Sequence, residues 1–515
     1  MSESRSSNTV NNIASGILKQ LITILLPFIL RTIVIYTLGA EYEGLNGLFT
    51  SIIQVLNLSE LGFSSAVMYI MYKPIADKDD IKVCAILHFL KKSYRIIGSI
   101  ILVLGSVMIP FLTKLVNGTV PAGVNIYILY IIYLLNVVSS YYLYEYKSVF
   151  LNAIQKENIV SNIYSLSSVI IRSIQIIIVL LFKNYYAYII FLPILTIVNS
   201  LFIQFFSVKY YPDITPCGNI DSELKTELIK QVKAVFLCRV ADTLRNSFDN
   251  IVISILLGLT AVTAYNNYYY IYSALYGIMI AIRSAMQASV GNAIETESVE
   301  KNYKDLRVFT FAFMFIVGWT SICMVCLYQP FMRIWMASEP QLCLSDFSMV
   351  LFCIYFYAIN MNNTRNLYLN GKGLFIYCTK TYFLEAISNL VLNILLGYLF
   401  GINGIILATI LTIIIFNFIE RTEILFKYYF RGSSRQFYGD HIFYALVTLV
   451  VALGGLLINH FIVGDGVLLF AFRGLITGIY SLLAMMLIYF KTKQFSEATS
   501  LFTYVLKTKF CLKNE

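Results

Sequence analysis

The stretch from Leu228 to Gly258, LIKQVKAVFLCRVADTLRNSFDNIVISILLG, is long and apolar enough to cross a membrane as one helix. It also carries four charged residues, spaced by three, three and four positions: Arg239, Asp242, Arg245 and Asp249. At roughly 100° per residue, this spacing places the four side chains on one face of a helix. A charged group at the bilayer centre costs on the order of 3 kcal/mol or more. The charged face must therefore point to the interior of a helix bundle or to a water-filled cavity.

Two interpretations of this charged face are open. In the first, the alternating signs form a self-neutralising ladder, because neighbours three or four positions apart on a helix can pair. In the second, the face lines a transport pathway for a charged cargo or ion. A purely structural ladder would be less costly to build from Ser and Thr, so the use of charge favours the pathway.

The composition of the whole chain indicates the same class of protein. Of the 515 residues, 58% are hydrophobic and 13% are charged, which predicts an all-α polytopic membrane protein rather than a soluble enzyme. We expect no cleavable signal peptide, because the apolar run from Ile13 to Leu38 is longer than a signal core. Hydropathy predicts about fourteen transmembrane helices.

The predicted spans run roughly over 12–38, 45–72, 88–113, 124–150, 159–182, 185–208, 229–258, 262–291, 306–336, 343–369, 374–399, 402–427, 441–463 and 467–490. The connections between them alternate in charge. Cations are few on one side, chiefly Lys114, Lys183 and Arg333, and numerous on the other. The positive-inside rule makes the cation-rich side cytoplasmic, so both termini are predicted to be cytoplasmic. The net charge of +10 reflects this topology and gives no reason to expect nucleic acid as a partner.

The longest connection divides the first six spans from the next six, which predicts two six-helix lobes. It covers about 209–228 and contains two Pro residues. We predict an N-lobe at 1–212, a C-lobe at 213–437, and a third segment at 438–515 that holds spans 13 and 14 and a cytoplasmic tail.

The two predicted lobes show faint self-similarity. Arg31-Thr-Ile-Val-Ile in span 1 aligns with Asp249-Asn-Ile-Val-Ile in span 7. Six spans per lobe would give both lobes the same orientation, as in parallel repeats about an axis normal to the membrane with the cargo at their interface.

Span 1 contains two residues with candidate functional roles, a cation and a proline. Arg31 has no acid within four residues on its own helix, so it needs a partner from elsewhere or an anionic cargo. Asp249 is one candidate partner, and a diphosphate is the other, because guanidinium binds phosphate oxygens in a bidentate fork. Pro27 bends the helix, either as a static kink or as a hinge that moves Arg31.

Span 2 has a polar face formed by Gln54, Asn57, Glu60 and Ser64. Hydrogen bonding between helices explains the amides and the serine, but it does not explain an acid. Glu60 either pairs with Arg31 or Arg239, which we favour, or titrates and couples transport to protons.

Span 8 supplies further candidate residues. Asn267 stands at the start of a tyrosine-rich run, and Arg283 lies near the other end of the span. Tyrosine is common where helices leave the membrane, and it also offers flat faces to sugars. The chain contains no GxxxxGK[ST] loop, no Ser/His/Asp set and no metal-ligand cluster, so we expect neither catalytic residues nor a bound metal or cofactor.

Two stretches resemble a known family. The segment from Tyr36 to Tyr72, YTLGAEYEGLNGLFTSIIQVLNLSELGFSSAVMYIMY, is similar to the start of Wzx-type polysaccharide flippases. Asp249-Asn-Ile-Val-Ile-Ser, followed by Gly258 and Tyr265-Asn-Asn-Tyr, is also similar. These flippases share the MOP superfamily with lipid II flippases and with multidrug and toxin extrusion (MATE) antiporters.

The resemblance implies a function and a location. It implies two lobes around a cavity that opens alternately to each side of the bacterial cytoplasmic membrane. The cargo would be an undecaprenyl-diphosphate-linked oligosaccharide, turned to the outer leaflet for capsule, exopolysaccharide or O-antigen assembly. Arg31 and Arg283 fit the cavity arginines that meet the diphosphate in lipid II flippases, and spans 13 and 14 fit the groove for the lipid tail. Polysaccharide polymerase and glycosyltransferases would be partner enzymes.

Three alternatives to this function are open. A lipid II flippase shares the layout, and a multidrug antiporter would favour a net acidic cavity, whereas Arg31, Arg239, Arg245 and Arg283 suit an anionic cargo. A membrane-embedded polymerase or ligase would need a large outer loop, and the predicted outer loops are short. Whether Na⁺, H⁺ or neither drives transport is left open, with Glu60, Asp242 and Asp249 as the candidate coupling or charge-pairing residues.

Overall fold

The computed structural model describes residues 24–57, 63–118, 120–462, 464 and 466–500, apart from the side chains of 227, 229–242, 244–246 and 288. Helices account for most of this part of the chain, and it contains no β-strand. The prediction of an all-α polytopic membrane protein is confirmed. The chain divides into two compact units, Met1–Thr263 and Ala264–Glu515. The lobe boundaries at 212 and 437 stay a prediction.

The helices of the first unit follow one another with short connections. They are α1 (Ile24–Thr37), α2 (Ala40–Leu56), α3 (Phe63–Ala76), α4 (Asp80–Met108, continued by a 3₁₀ turn Ile109–Leu115), α5 (Ile126–Tyr142), α6 (Tyr146–Ala153), α7 (Glu157–Phe182), α8 (Tyr185–Ile189), α9 (Phe191–Tyr210) and α10 (Ser222–Leu257).

The second unit begins within α11 (Leu259–Thr296). It continues with α12 (Val299–Trp335), α13 (Asp346–Asn360), α14 (Asn363–Gly371), α15 (Thr379–Phe400), α16 (Ile402–Thr412), α17 (Arg421–Leu425), α18 (Arg435–His460) and α19 (Val467–Tyr489). Two π-helical segments, Ile413–Glu420 and Phe426–Phe430, flank α17.

Several of these helices are able to span a bilayer. Among the described residues, eight helical stretches are long and apolar enough, or nine if a bent pair counts as one span. The bent pair is α5 and α6, which meet at 50° where hydropathy predicts one straight span at 124–150. The stretches Ile24–Thr37 and Ser247–Leu257 are apolar but shorter. The total of about fourteen spans stays a prediction.

The exposed and buried side chains fit helices that face lipid. In α4, for example, Ile97 and Ile101 are buried in the first unit, whereas Ile96, Ile100 and Val103 are exposed. In water such exposed apolar surface would be a liability, but in a bilayer it contacts acyl chains.

Helix α12 is central to the second unit. It packs against α13, α18 and α19. Gly318 and Gly455 allow the close approach, since an added Cβ would meet Thr448 Oγ1 at 2.8 Å in the first case and Cys326 Sγ at 2.9 Å in the second. The two C-terminal helices are thus tightly packed parts of this unit.

Candidate functional site: buried charges in each unit

Arg31 on α1 is held by a carboxylate from the next helix. Its Nη1 donates to Glu43 Oε1 at 2.5 Å, and its Nη2 donates to the Thr263 carbonyl oxygen at 3.3 Å. The side chain is only 11% exposed. The sequence predicted that Arg31 needs either a partner from outside its helix or an anionic cargo, and Glu43, in the first turn of α2, is a partner that was not among the candidates.

Glu43 is fixed by a short hydrogen-bond chain. Asn46 Nδ2 donates to Glu43 Oε1 at 3.1 Å, and the Tyr133 hydroxyl donates to Asn46 Oδ1 at 2.7 Å. The second carboxylate oxygen, Oε2, is buried and has no hydrogen-bond partner among the described residues. A buried carboxylate with one unsatisfied oxygen is a natural site for a proton or a small cation.

Tyrosines surround this ion pair. Tyr133, Tyr185 and Tyr188 are all buried. The Tyr185 hydroxyl donates to the Tyr42 carbonyl at 2.7 Å, and Gln175 Nε2 donates to the Tyr188 carbonyl at 3.1 Å. The shell excludes bulk solvent and lowers the local dielectric constant, which strengthens the ion pair and raises the cost of separating it.

The polar face predicted for span 2 is used largely for contacts between helices. Gln54 Oε1 accepts from Ser247 Oγ at 3.1 Å, and Asn57 Oδ1 accepts from the Tyr141 hydroxyl at 3.3 Å. Ser64 bonds to the hydroxyl of Tyr94. Glu60 lies outside the described residues, so its pairing or titration stays a prediction.

The charged face of α10 is described only at one end. Asp249 is buried at 2% exposure, and its neighbour Asn250 donates from Nδ2 to Ser51 Oγ on α2 at 3.0 Å. The side chains of Arg239, Asp242 and Arg245 lie outside the described part, so the choice between ladder and pathway stays open. The pairing of Arg31 with Asp249 also stays a prediction.

Arg283 is the predicted cavity arginine of the second unit. Its side chain on α11 is half-buried, and its Nε is buried without a hydrogen-bond partner among the described residues. None of these residues pairs it with a carboxylate within 4 Å. A desolvated guanidinium donor of this kind suits an anion.

Asn267 and the tyrosine-rich run lie in the core of the second unit. Asn267 is fully buried, and its Nδ2 contacts Met336 Sδ at 3.4 Å. The Tyr268 hydroxyl donates to Gln329 Oε1 at 2.8 Å, and Tyr272 stacks on Tyr355 with ring centroids 4.4 Å apart. These contacts support packing as the main role of the run.

The second unit contains buried charges that the sequence indicated only in part. Glu385 pairs with Arg421, whose guanidinium also lies 3.6 Å from the Tyr382 ring centroid. Arg365 is wholly buried and donates from Nη2 to Asn417 Oδ1 at 2.9 Å. Because both guanidinium groups bond to neighbouring helices through their Nη atoms, they stabilise the packing of α14 to α17, although the Nε of Arg365 is buried without a hydrogen-bond partner among the described residues.

Pro27 is the fourth residue of α1 as described, and the residues before Ile24 are not described. Its kink or hinge role therefore stays a prediction. The described residues contain no group of three or more His, Cys, Asp or Glu side chains that could hold a metal ion.

The described helices and the charges buried among them define an all-α polytopic membrane protein, and its fold is similar to that of solved transporters of the MOP superfamily. A structure of the lipid II flippase MurJ in an inward closed conformation is similar, with a TM-score of 0.62, 17% identity, and 92% of this chain and 99% of that chain covered. An inward-facing multidrug resistance MATE family transporter of the MOP superfamily gives a TM-score of 0.57 at 15% identity, covering 79% of this chain and 94% of that chain.

A third similar structure is a MOP superfamily transporter from Pyrococcus furiosus, described as having a binding pocket of reverse polarity. Its TM-score is 0.54 at 12% identity, with 81% of this chain and 95% of that chain covered. At these identities the likeness concerns the fold.

The family is shown by the sequence profile "Polysaccharide biosynthesis protein", which matches residues 9–287. The chain belongs to this family. A comparison with curated proteins finds no match.

Proposed function

We propose that this protein is a flippase for undecaprenyl-diphosphate-linked oligosaccharide repeat units. It moves them from the inner to the outer leaflet of the bacterial cytoplasmic membrane for capsule, exopolysaccharide or O-antigen assembly. Membership of the polysaccharide biosynthesis family and a fold similar to that of a lipid II flippase support this proposal. In this role the chain transports a finished lipid-linked unit and catalyses no bond chemistry.

The observation that carries the proposal is the state of the two arginines. Arg283 has a buried Nε with no partner among the described residues. Arg31 is engaged by one carboxylate oxygen of Glu43. A diphosphate offers oxygen acceptors of the kind that a guanidinium fork binds, so Arg283 in the second unit suits it, and in the first unit it is a competitor of Glu43 for Arg31.

Release of Arg31 leaves a buried Glu43 without its cation. Breaking one side of a buried ion pair costs about 3–5 kcal/mol, so the carboxylate must take up a proton or Na⁺ as the cargo displaces Arg31. The unsatisfied Oε2 supports this exchange. Cargo binding and ion uptake are thereby coupled at one pair, with Glu60, Asp242 and Asp249 as further candidate coupling groups.

The other enzymes of the assembly process are proposed partners. Glycosyltransferases build the repeat unit on the cytoplasmic side, and a polymerase uses it on the outer side, so both act on the same lipid-linked molecule before and after it crosses.

A second candidate function is cation-coupled drug export. The buried Glu43 carboxylate favours it, because an antiporter needs an acid that exchanges a proton for a cation. The arginines favour an anionic cargo instead, and for this reason we rank the flippase first.

A deletion strain tests the two candidates against each other. We expect lipid-linked repeat units to accumulate facing the cytoplasm, and surface polysaccharide to return with the wild-type gene but not with Arg283→Ala. Arg435→Ala is the matched control, because Arg435 is an exposed arginine at the start of α18. If the deletion strain kept its surface polysaccharide and became more sensitive to drugs, the antiporter function would be favoured over the flippase function.

A further inference from the structure

A basic cavity lies in the first unit, away from the Arg31–Glu43 pair. It has a volume of about 870 Å³ and is formed by the first half of α4, the segment before α10 and the start of α10 itself. Its lining includes His88, Lys91, Lys92, Arg95 and Lys225. The predicted topology places this end of α4 at the cytoplasmic surface of the membrane.

The charge of this cavity is one-sided. No Asp or Glu is among its lining residues, and no described carboxylate lies within 4 Å of Lys91, Lys92 or Arg95. A neighbouring cavity of about 530 Å³ differs, because Asp77, Asp79, Asp221 and Glu223 line it together with Lys73 and Lys82. The two cavities lie close together and differ in the sign of ligand that they attract.

One carboxylate of the neighbouring cavity, that of Asp79, is fixed by contacts with Lys82. The Lys82 backbone N–H donates to Asp79 Oδ1 at 3.0 Å and holds the pKa of that carboxyl below its usual value. Asp79 is therefore ionised at neutral pH, and it pairs with the Lys82 ammonium at 3.2 Å. The charge of Asp79 is thus balanced within its own cavity.

The walls of the basic cavity are held in place by bonds between α4 and the segment before α10. His88 Nδ1 bonds to the Gly218 carbonyl at 2.6 Å, and the Cys217 N–H donates to the Cys84 carbonyl at 3.3 Å. Lys91 is half-buried, with its Nζ 5.8 Å from the centroid of the Tyr146 ring. Such pre-organisation lowers the entropic cost of binding an anion.

The cavity is continuous with surface that faces lipid. Ile96 lines it and is 53% exposed, and Ile100, one turn further along α4, is 43% exposed. The exposed stripe continues through Val103, Leu104 and Val107. A ligand with a charged head and an acyl chain satisfies both parts, whereas a soluble anion uses only the basic part.

We propose that this cavity binds the phosphate headgroup of an anionic phospholipid of the inner leaflet. The guanidinium of Arg95, at the border between the cavity and the apolar stripe, meets the phosphate, and Lys92 and Lys225 add attraction. The acyl chains lie along the stripe that begins at Ile96. This site is separate from the proposed transport function and stands without it.

The test uses the full-length protein in neutral detergent, with phosphatidylglycerol as the probe and phosphatidylcholine as the uncharged comparison. Native mass spectrometry measures bound lipid. We expect phosphatidylglycerol to bind preferentially, and the triple variant Lys92→Gln, Arg95→Gln, Lys225→Gln to weaken its binding about a hundredfold, since three cations that attract the headgroup are lost together.

A triple variant with the same charge change provides the matched control. Lys427→Gln, Arg435→Gln and Lys491→Gln also removes two lysines and one arginine, all exposed and in the second unit. It must bind phosphatidylglycerol as the wild type does. The site would be overturned if both triple variants lost binding equally, or if neither variant lost binding.

Two further measurements test the lipid ligand and the role of Arg95. Inorganic phosphate or glycerol phosphate that displaces phosphatidylglycerol at equal concentration would identify a soluble anion as the ligand and overturn the lipid assignment. The single reversal Arg95→Glu guards against a triple variant that fails to fold. It should lose phosphatidylglycerol selectivity with an unchanged thermal unfolding temperature, and retained selectivity would count against the proposal.

Discussion

Arg31 and Glu43 depend on one another because they form an ion pair that is largely shielded from solvent, with Glu43 buried and the Arg31 side chain 11% exposed. Removing one side leaves an uncompensated charge, at a cost of about 3–5 kcal/mol, whereas removing both leaves neutral groups that can hydrogen-bond. An Arg31→Ala change alone therefore mixes a transport defect with a folding defect. The two effects are separated by changing the two residues together.

We predict that Arg31→Gln and Glu43→Gln each lower the thermal stability of the purified protein, and that the double variant regains much of it. Surface polysaccharide should stay absent in the double variant, because no guanidinium remains at this position to meet the diphosphate. Fluorescence-detected gel filtration on a temperature series measures stability. A double variant that is less stable than either single variant would show that the two residues do not act as a pair.

The sequence predicted the need for a partner at Arg31 but not the partner itself. Glu43 lies 12 residues away on a different helix, so no helical spacing joins the two. Its place in the first turn of α2, beside Gly44-Leu-Asn in the stretch that resembles the flippase family, was the available signal. The same limit explains Arg421 as the partner of Glu385, because contacts between helices have no periodic signature.

Helix α2 and the start of α11 approach each other closely. A Cβ added at Gly44 would clash with the carbonyl group of Leu259. Thr263 Oγ1 also donates to the Ala40 carbonyl at 2.6 Å. This contact positions the Thr263 carbonyl that accepts from Arg31, so helix packing and the ion pair are linked.

We predict that Gly44→Ala destabilises the protein by about 1–3 kcal/mol, because a backbone group must move to admit the methyl group. Gly439→Ala is the control. Gly439 is also helical but has no atom within 4 Å of an added Cβ, so alanine should be neutral or stabilising by up to about 1 kcal/mol. Unfolding temperatures of both variants give the comparison, and equal stability would contradict the close approach.

Hydropathy predicted the existence of helices better than their continuity. The predicted span at 124–150 is two helices, because the chain leaves helical geometry at Leu143 (φ −83°, ψ −134°) and bends by 50° between α5 and α6. Apolar composition alone does not encode such a break. The tyrosines after Tyr265 show the converse, since their pattern allows both an interfacial position and sugar contacts, whereas the burial of Tyr268 and Tyr272 supports a packing role for these two.

At the scale of the whole molecule, the placement of charge predicts which ends of the helices are cytoplasmic. The segment around Cys217 carries the basic cavity and should lie inside the cell, whereas Ala122, between α4 and α5, should lie outside. Both positions are exposed. The fold class follows from composition and hydropathy, but the orientation depends on the loops.

We predict that a membrane-impermeant maleimide labels Cys217 only after the cells are permeabilised. The reporter protein retains this cysteine and lacks the other eight of the nine. A cysteine-free protein carrying Ala122→Cys is the control and should be labelled in intact cells. Labelling of Cys217 in intact cells would reverse the proposed topology.

The central claim is that this protein moves a lipid-linked oligosaccharide between leaflets by means of its arginines. Reconstitution tests it most directly. Undecaprenyl-diphosphate-linked oligosaccharide is placed in both leaflets of proteoliposomes, and an impermeant glycosidase is added outside. We expect the wild type and Arg435→Gln to expose nearly the whole pool to the enzyme. The Arg31→Gln, Glu43→Gln double variant and Arg283→Gln should expose only the outer-leaflet share, and wild-type vesicles that also expose only this share would contradict the account.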